Sequence, residues 1–248
     1  IAVTEDLKAP SENNILVTEN NGIINGKKIA VPDAEISTHS IVVCKCESGI
    51  SLQLVDLSSP GVTIEQQETI DDSRGHFLIN FENVKSNLIG DKGNGWKSYE
   101  TLINQAAVFF SYEQIGGSQA TLDMAINYAK ERYAFGRPIG SYQAIKHKLA
   151  DMYIALTLAK SNCYYAAWAL STNSSDFPSA SATARVSATK AYQLCSQENI
   201  QTHGGNGFTW EYDCHMFYRR SKLLSLNIGS LSNWREKLVT SLEQSNIN

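Results

Sequence analysis

Long apolar runs are missing from this chain. No stretch approaches the ~18 consecutive apolar residues that mark a membrane-spanning helix, so no membrane span is expected. A basic excess is missing too: 21 Lys and Arg stand against 25 Asp and Glu, a net charge of −4 dispersed along 248 residues. That balance argues against a nucleic-acid partner held by simple electrostatics. There is no Cys-x-x-Cys pair, and the five cysteines (Cys44, Cys46, Cys163, Cys195, Cys214) are odd in number. Two ligands at Cys44 and Cys46 do not make a zinc site, so no metal is expected and the thiols read as free, in a reducing cytoplasm. A signal-peptide pattern and an initial Met are also lacking, so the numbering is expected to start after something removed or left out.

What is present falls into two halves. With 42% apolar residues the chain has an ordinary globular composition, long enough for two modest domains. Residues 1–92 read as β, with β-branched and apolar runs at 15–18, 23–31, 40–46, 51–56, 62–65 and 76–81. Asn21-Gly22, Asn25-Gly26, Ser48-Gly49, Pro60-Gly61 and Arg74-Gly75 punctuate them as turns. Short strands at this spacing predict a small barrel or sandwich. Residues 91–95 are a linker by composition, and residues 93–248 change to helical periodicity. Helices are expected over about 95–133, 141–170, 179–202, 213–226 and 231–242. Long helices joined by short loops predict an antiparallel bundle, and with the β half an α+β fold. Gly116-Gly117 inside the first helix costs ~1 kcal/mol per Gly relative to Ala and reads as close approach of another backbone or a ligand.

The stretch 119–150 organises the helical half. Leu122, Ala125, Ile126 and Ala129 form one apolar stripe, and Ile145, Leu149 and Met152 form the next. Between them Gly136 and Gly140 permit a sharp turn, Pro138 is read as stopping the first helix, and Ser141 as capping the second. On these residues alone the segment is a helix hairpin and nothing more.

Its wording carries further. Arg132, Phe135, Gly136, Ile139 and Gln143 stand in the spacing R-x-x-F-G-x-x-I-x-x-x-Q, and a second block runs from Gln201 through His203, Gly204, Gly205 and Gly207 to Tyr212, followed by Tyr218, Arg219, Arg220 and Lys222. Together these resemble acyl-CoA dehydrogenases, most closely from Gly95 onward. The resemblance implies a middle β domain and a C-terminal helical domain; the N-terminal helical domain of a complete member has no counterpart. It also implies FAD and an acyl-CoA substrate, desaturated between the carbons next to the thioester. It implies assembly as a dimer or a dimer of dimers with itself or another such subunit, electron-transfer flavoprotein as a partner, and a cytoplasmic or mitochondrial-matrix location.

In that family each FAD lies between two subunits. By resemblance Arg132 reaches a neighbour's FAD pyrophosphate, Phe135 packs beside it, Gln143 is the corner glutamine, and Gln201, Gly204 and Gly205 follow the adenosine side. Taken singly, Arg132 reads better as a helix C-terminal cation, Gln201 as a surface residue and Gly205 as a helix stop; taken together they favour the family's roles. The flavin-facing half departs from the family. Thr4 matches the threonine of its V-T-E motif, but a Gly-Ser pair that should follow is absent. An aromatic and a hydroxyl residue beside the flavin are replaced by Ala30 and Pro32. The two positions where members keep their catalytic glutamate are Ala106 and Ile228. Glu113, seven residues beyond Ala106, is the one nearby carboxylate; its alternative role is a buried or interfacial polar residue. Tyr164, Tyr165 and Trp168 read as core or subunit packing, and His203 as a backbone-facing hydrogen bonder. The expectation is a subunit that lends half an FAD site while lacking its own base. The alternatives are a self-sufficient dehydrogenase using Glu113, or a structural relative without FAD.

Overall fold

The computed structural model describes residues 1–246. It forms two compact units, Ile1–Leu102 and the residues from Ile103 onward, with the junction inside a helix.

The first unit is a seven-stranded mixed sheet in the order β5-β6-β2-β1-β3-β4-β7. Its strands are β1 (Thr18–Asn20), β2 (Ile23–Pro32), β3 (His39–Cys46), β4 (Gly49–Asp56), β5 (Val62–Gln67), β6 (His76–Lys85) and β7 (Asn87–Ile89). All neighbours pair antiparallel except β1 with β3. The barrel-or-sandwich expectation takes this form because one face supplies the core: Val17, Ile24, Val42, Phe77, Ile79 and Phe81 are buried together. Gly26, at a register shift between β2 and β6, sits at φ 127°, and a Cβ there would lie 2.9 Å from Val17. Only glycine fits both constraints. The first strand begins later than the run at 15–18 suggests. The amides of Leu16 and Val17 donate to the Glu5 carboxylate, so they leave the ladder and pairing starts at Thr18. The edge strand β7, three residues long, was not legible in the pattern.

The second unit is a five-helix bundle: α1 (Gly95–Glu131, which starts in the first unit), α2 (Gln143–Ser171), α3 (Phe177–His203), α4 (Cys214–Leu224) and α5 (Leu231–Asn246). α3 is its axis, alanine-rich and buried along its length, so neighbouring helices approach closely. Cross-links fix the directions. Gln119 meets Lys160 while Tyr112 meets Tyr164, so α1 and α2 run antiparallel. Cys195 reaches Met152 while Tyr165 has its loop partner at Asp176, just before α3, so α2 and α3 are antiparallel too.

Three local readings are corrected. α1 ends at Glu131, well before Pro138, because a two-residue-strand hairpin, β8 (Tyr133–Ala134) with β9 (Arg137–Pro138), takes over the backbone. Ser141 does not cap α2: its hydroxyl donates to the Pro138 carbonyl at 2.7 Å, and the cap position is Tyr142, with no side-chain cap bond. Gly117 is required by a side chain and not by a ligand or backbone, since a Cβ there would lie 2.4 Å from the Tyr192 ring; at Gly116 a Cβ would meet nothing. All five cysteines are free and buried, and no described helix is long and apolar enough to cross a membrane.

Candidate cofactor-binding site

The corner between α1 and α2 is rigid without being buried. Phe135 and Gly136 form the two-residue loop of the β8–β9 hairpin at φ 54° and 78°. Positive φ at both positions is the signature of a type I′ turn, which favours Asn-Gly. Phenylalanine in the left-handed region is strained, and strain of this kind collects at functional positions. Phe135 is also 97% exposed. The corner holds this shape through Tyr142, whose hydroxyl donates to the Ala134 carbonyl at 2.9 Å and whose ring carries the Arg137 guanidinium at 4.0 Å. Gly140 approaches α1 so closely that a Cβ would lie 2.9 Å from the Ala129 carbonyl.

Arg132 opens this corner. Its backbone is fixed at both ends, the N–H donating to Tyr128 and the carbonyl accepting from Ile139 at 2.8 Å. Its side chain is exposed, and no hydrogen bond or ion pair to another described residue engages its guanidinium. Gln143 is the first residue of α2 and is exposed. The α2 N-terminus, eleven residues after Arg132 in sequence, has no side-chain cap bond to offset the positive end of its dipole.

The second motif arrives at the same end of the bundle. Tyr128, one turn before Arg132, stacks on His203 at 4.1 Å and accepts a hydrogen bond from Asn206 at 3.0 Å. Lys148 near the start of α2 pairs with Glu198 near the end of α3. These links join the end of α1, the start of α2 and the end of α3. His203 is a buried hydrogen bonder, as its sequence context suggests: its Nδ1 lies 2.9 Å from the Asn199 carbonyl, and burial pulls its pKa below the ordinary value. Gln201, Gly204 and Gly205 are exposed. Gly204 adopts φ 60°, and neither it nor Gly205 has any atom within 4 Å of a would-be Cβ. Packing within the chain therefore does not explain glycine at Gly205. Gly207 is the packing glycine, with a Cβ 2.6 Å from the Ile200 carbonyl. A guanidinium, an uncapped helix N-terminus and bare backbone at one end of the bundle are a donor set suited to phosphate oxygens.

The positions on the β unit are different. Thr4 is half-buried and its carbonyl accepts the Ile29 amide at 2.8 Å, while the Val3 carbonyl accepts Lys28 Nζ at 3.1 Å. Lys28 is 0% exposed and pairs with Glu5 at 2.6 Å. Its pKa is lowered, chiefly by burial, with the Glu5 contact acting against that. Ala30 sits at φ 51° beside a register shift, and its amide is taken by Gln67 Oε1 at 2.7 Å. Pro32 has no N–H to offer. No aromatic side chain stands at residues 30–32, the Ala30 amide is engaged and Pro32 has none, so these residues do not fit a flavin ring.

Neither presumed base position carries an ionisable group. Ala106 is a half-buried residue of α1. Ile228 lies in the turn after α4, its carbonyl accepting Trp234 Nε1 at 3.1 Å. Glu113 is neither buried nor enclosed: its side chain is 43% exposed, with Arg220 Nε at 3.8 Å. It stands ~10.5 Å along the helix from Ala106 at 1.5 Å per residue.

Sequence reasoning missed Arg185. It is 1% exposed on α3, and its guanidinium donates to Gln114 at 2.9 Å, to Asn227 at 3.0 Å and to the Leu224 carbonyl. Burial lowers its pKa to about 10. With Trp234 it clamps the turn holding Ile228. The available signal was one arginine at core spacing among the alanines of α3, between Ala184 and Ala188.

A family model for the acyl-CoA dehydrogenase C-terminal domain matches residues 93–235. Acyl-CoA dehydrogenase IpdE2 of Mycobacterium tuberculosis is 39% identical over 120 residues, 48% of this chain and 36% of that protein. Probable acyl-CoA dehydrogenase YngJ of Bacillus subtilis is 33% identical over 219 residues, 84% of this chain and 57% of that one. The crystal structure of acyl-CoA dehydrogenase from Geobacillus kaustophilus superposes with a TM-score of 0.92 at 21% identity, covering 97% of this chain and 67% of that one. That last likeness speaks for the fold alone. The chain spans about half the length of the curated relatives it matches along most of its own length.

Proposed function

Because this chain belongs to the acyl-CoA dehydrogenase family, we propose that it acts as a subunit that lends half an FAD site to a partner and supplies no base of its own. The family fits an oxidoreductase desaturating an acyl-CoA thioester. Within it, Arg132, Phe135, Gln143, Gln201, Gly204 and Gly205 of this chain hold the anionic and adenosine end of an FAD. The flavin ring of that FAD rests on another subunit. FAD, when bound, supplies the acceptor for the substrate's β-hydride. The partner supplies the carboxylate that takes the α-proton. Electron-transfer flavoprotein is the proposed electron acceptor, and a compartment stocked with acyl-CoA, cytoplasm or mitochondrial matrix, is the proposed location.

One observation carries this reading: the donors at the helical corner are open while the matching positions on the β unit are engaged or absent. Arg132 has a free fork of donors beside an exposed, strained phenylalanine. The Ala30 amide and the Val3 and Thr4 carbonyls are used within the chain, and positions 106 and 228 are apolar. Loss of an acid–base group alone costs ~10²–10⁴ in rate.

The test is reduction of an artificial electron acceptor across a panel of acyl-CoAs. The isolated chain is expected to be colourless and inactive. Mixing with an intact family member is expected to restore bound flavin and turnover. Robust turnover by the chain alone, abolished by Glu113→Gln, would overturn this reading in favour of Glu113 as a displaced base.

A further inference from the structure

The loop between α3 and α4 carries two large aromatic side chains in the open. Phe208 is 80% exposed and Trp210 79%. Thr209 between them is extended, at φ −86° and ψ 157°, so both rings leave the same side of the chain. They line a cavity of about 360 Å³. That size falls among small-molecule sites, which span roughly 300–1,000 Å³. Ile200 near the end of α3, itself buried, and His215, Tyr218 and Arg219 on α4 complete the lining.

The cavity is preformed. Gly207 seats the loop on the Ile200 carbonyl, and the Asn206 side chain donates to the Tyr128 hydroxyl. The Thr209 amide and hydroxyl both donate to the Asn206 carbonyl, at 3.1 and 2.9 Å. Trp210 meets the His215 ring edge to face at 4.6 Å, and His215 Nδ1 lies 3.0 Å from the Tyr212 carbonyl. A ligand therefore has little of the protein left to order. The charge is one-sided as well. Among the described residues that line the cavity, Arg219 is the fixed cation and none is a carboxylate. Its guanidinium lies 5.6 Å over the Trp210 ring, and Lys222 lies 4.8 Å over the Tyr218 ring. Glu211 and Asp213, the acids nearest in sequence, are exposed and outside the lining.

We propose that this cavity binds an aromatic carboxylate of one or two rings, with the ring against Phe208 and Trp210 and the carboxylate on Arg219. Flat rings on one side of an extended segment favour a flat partner, because offset or edge-on ring pairs gain ~0.5–1.5 kcal/mol beyond the area they bury. A saturated chain of equal size forgoes that gain. A neutral aromatic leaves the guanidinium without an anion, whereas a carboxylate meets it in a charge-assisted hydrogen bond. The inference does not rest on the flavin reading, because it uses none of the residues at 132–143 or 201–205.

The test is a titration of the full chain, without FAD, followed by saturation-transfer difference NMR of the ligand. The probe is indole-3-acetate, expected to bind with a submillimolar Kd. Its neutral amide, indole-3-acetamide, and its saturated counterpart, cyclohexylacetate, are each expected to bind about tenfold more weakly. Trp210→Leu and Arg219→Gln are each expected to weaken indole-3-acetate about tenfold, whereas Trp210→Phe keeps a ring in place and retains most of the affinity. An unchanged far-ultraviolet circular dichroism spectrum identifies the variants that have folded. No binding of indole-3-acetate would overturn the inference. So would binding that survives both Trp210→Leu and Arg219→Gln, or equal binding of the amide. Adenosine monophosphate is the remaining probe: tighter binding of it than of indole-3-acetate would give the cavity to a nucleotide and overturn the inference, while leaving the reading of Arg132 intact.

Discussion

The two units treat the polar groups at their candidate cofactor positions in opposite ways. The β unit satisfies them within the chain: Lys28 is buried against Glu5 and the Val3 carbonyl, Gln67 occupies the Ala30 amide, and Arg74 is paired with Asp33. The helical unit leaves them open at one end, where Arg132, Gln143, Gln201 and two bare glycines face outward. A polar group satisfied inside its own chain has little left for a ligand, whereas an open donor on a fixed backbone has everything left. The contrast separates a surface for self-stabilisation from one for binding, and it can be tested group by group.

The largest expected effect lies in the β unit. Lys28→Ala leaves Glu5 buried without its partner and should cost about 3–5 kcal/mol, read by chemical denaturation of that unit. Lys28→Met should cost less when Glu5→Gln accompanies it. A small effect of Lys28→Ala alone would break the picture of an enclosed pair. Next come the paired glycines of α1. Gly117→Ala drives a methyl group into Tyr192 and should cost about 1–3 kcal/mol. Gly116→Ala meets nothing and should stabilise by up to ~1 kcal/mol.

The pH dependence is smaller. Burial holds His203 below its ordinary value of 6.5, so the unfolded chain binds the proton more readily. Its contribution is therefore full above about pH 6.5 and falls away as pH drops through that value towards the lower folded one. Thermal melts from pH 7.5 to 5 should show the fall, and His203→Gln should flatten it. The smallest stability effect is expected at Arg132. Arg132→Ala should change stability by less than about 0.5 kcal/mol, as for other exposed sites, yet lower the FAD content of a mixed complex. Large destabilisation with unchanged flavin would reverse the assignment of that corner to binding.

Much of the fold was legible because periodicity is local. The helix limits fall within a few residues of those read from the apolar spacing, and the strand runs survive apart from shifted ends. What escaped depends on distant partners. Nothing local says that Glu5 captures the amides of Leu16 and Val17, or that Tyr192 lies over Gly117, 75 residues apart in sequence. Tyr164, Tyr165 and Trp168 read as core or subunit packing; the buried seam of α2 is made of smaller residues and the rings are about half exposed, which removes the first of those alternatives. The site motifs were readable as words, and the structure adds that Tyr128, His203 and Asn206 tie the two words together. Arg185 was hidden because an arginine in an alanine-rich helix ordinarily reads as solvent-facing.

The Phe135–Gly136 turn also bears on how fast a complex assembles. Tyr142 and Arg137 hold the loop in its strained form before any partner arrives. An encounter therefore has no corner left to fold, and no slow rearrangement need follow first contact. Association through this corner should show single-exponential kinetics with a rate proportional to partner concentration and no plateau, within the range of ordinary protein docking of about 10⁵–10⁷ M⁻¹s⁻¹. Tyr142→Phe, which removes the hydroxyl that anchors Ala134, should lower that rate and leave it saturable, as the turn drifts among shapes of which one is competent to dock.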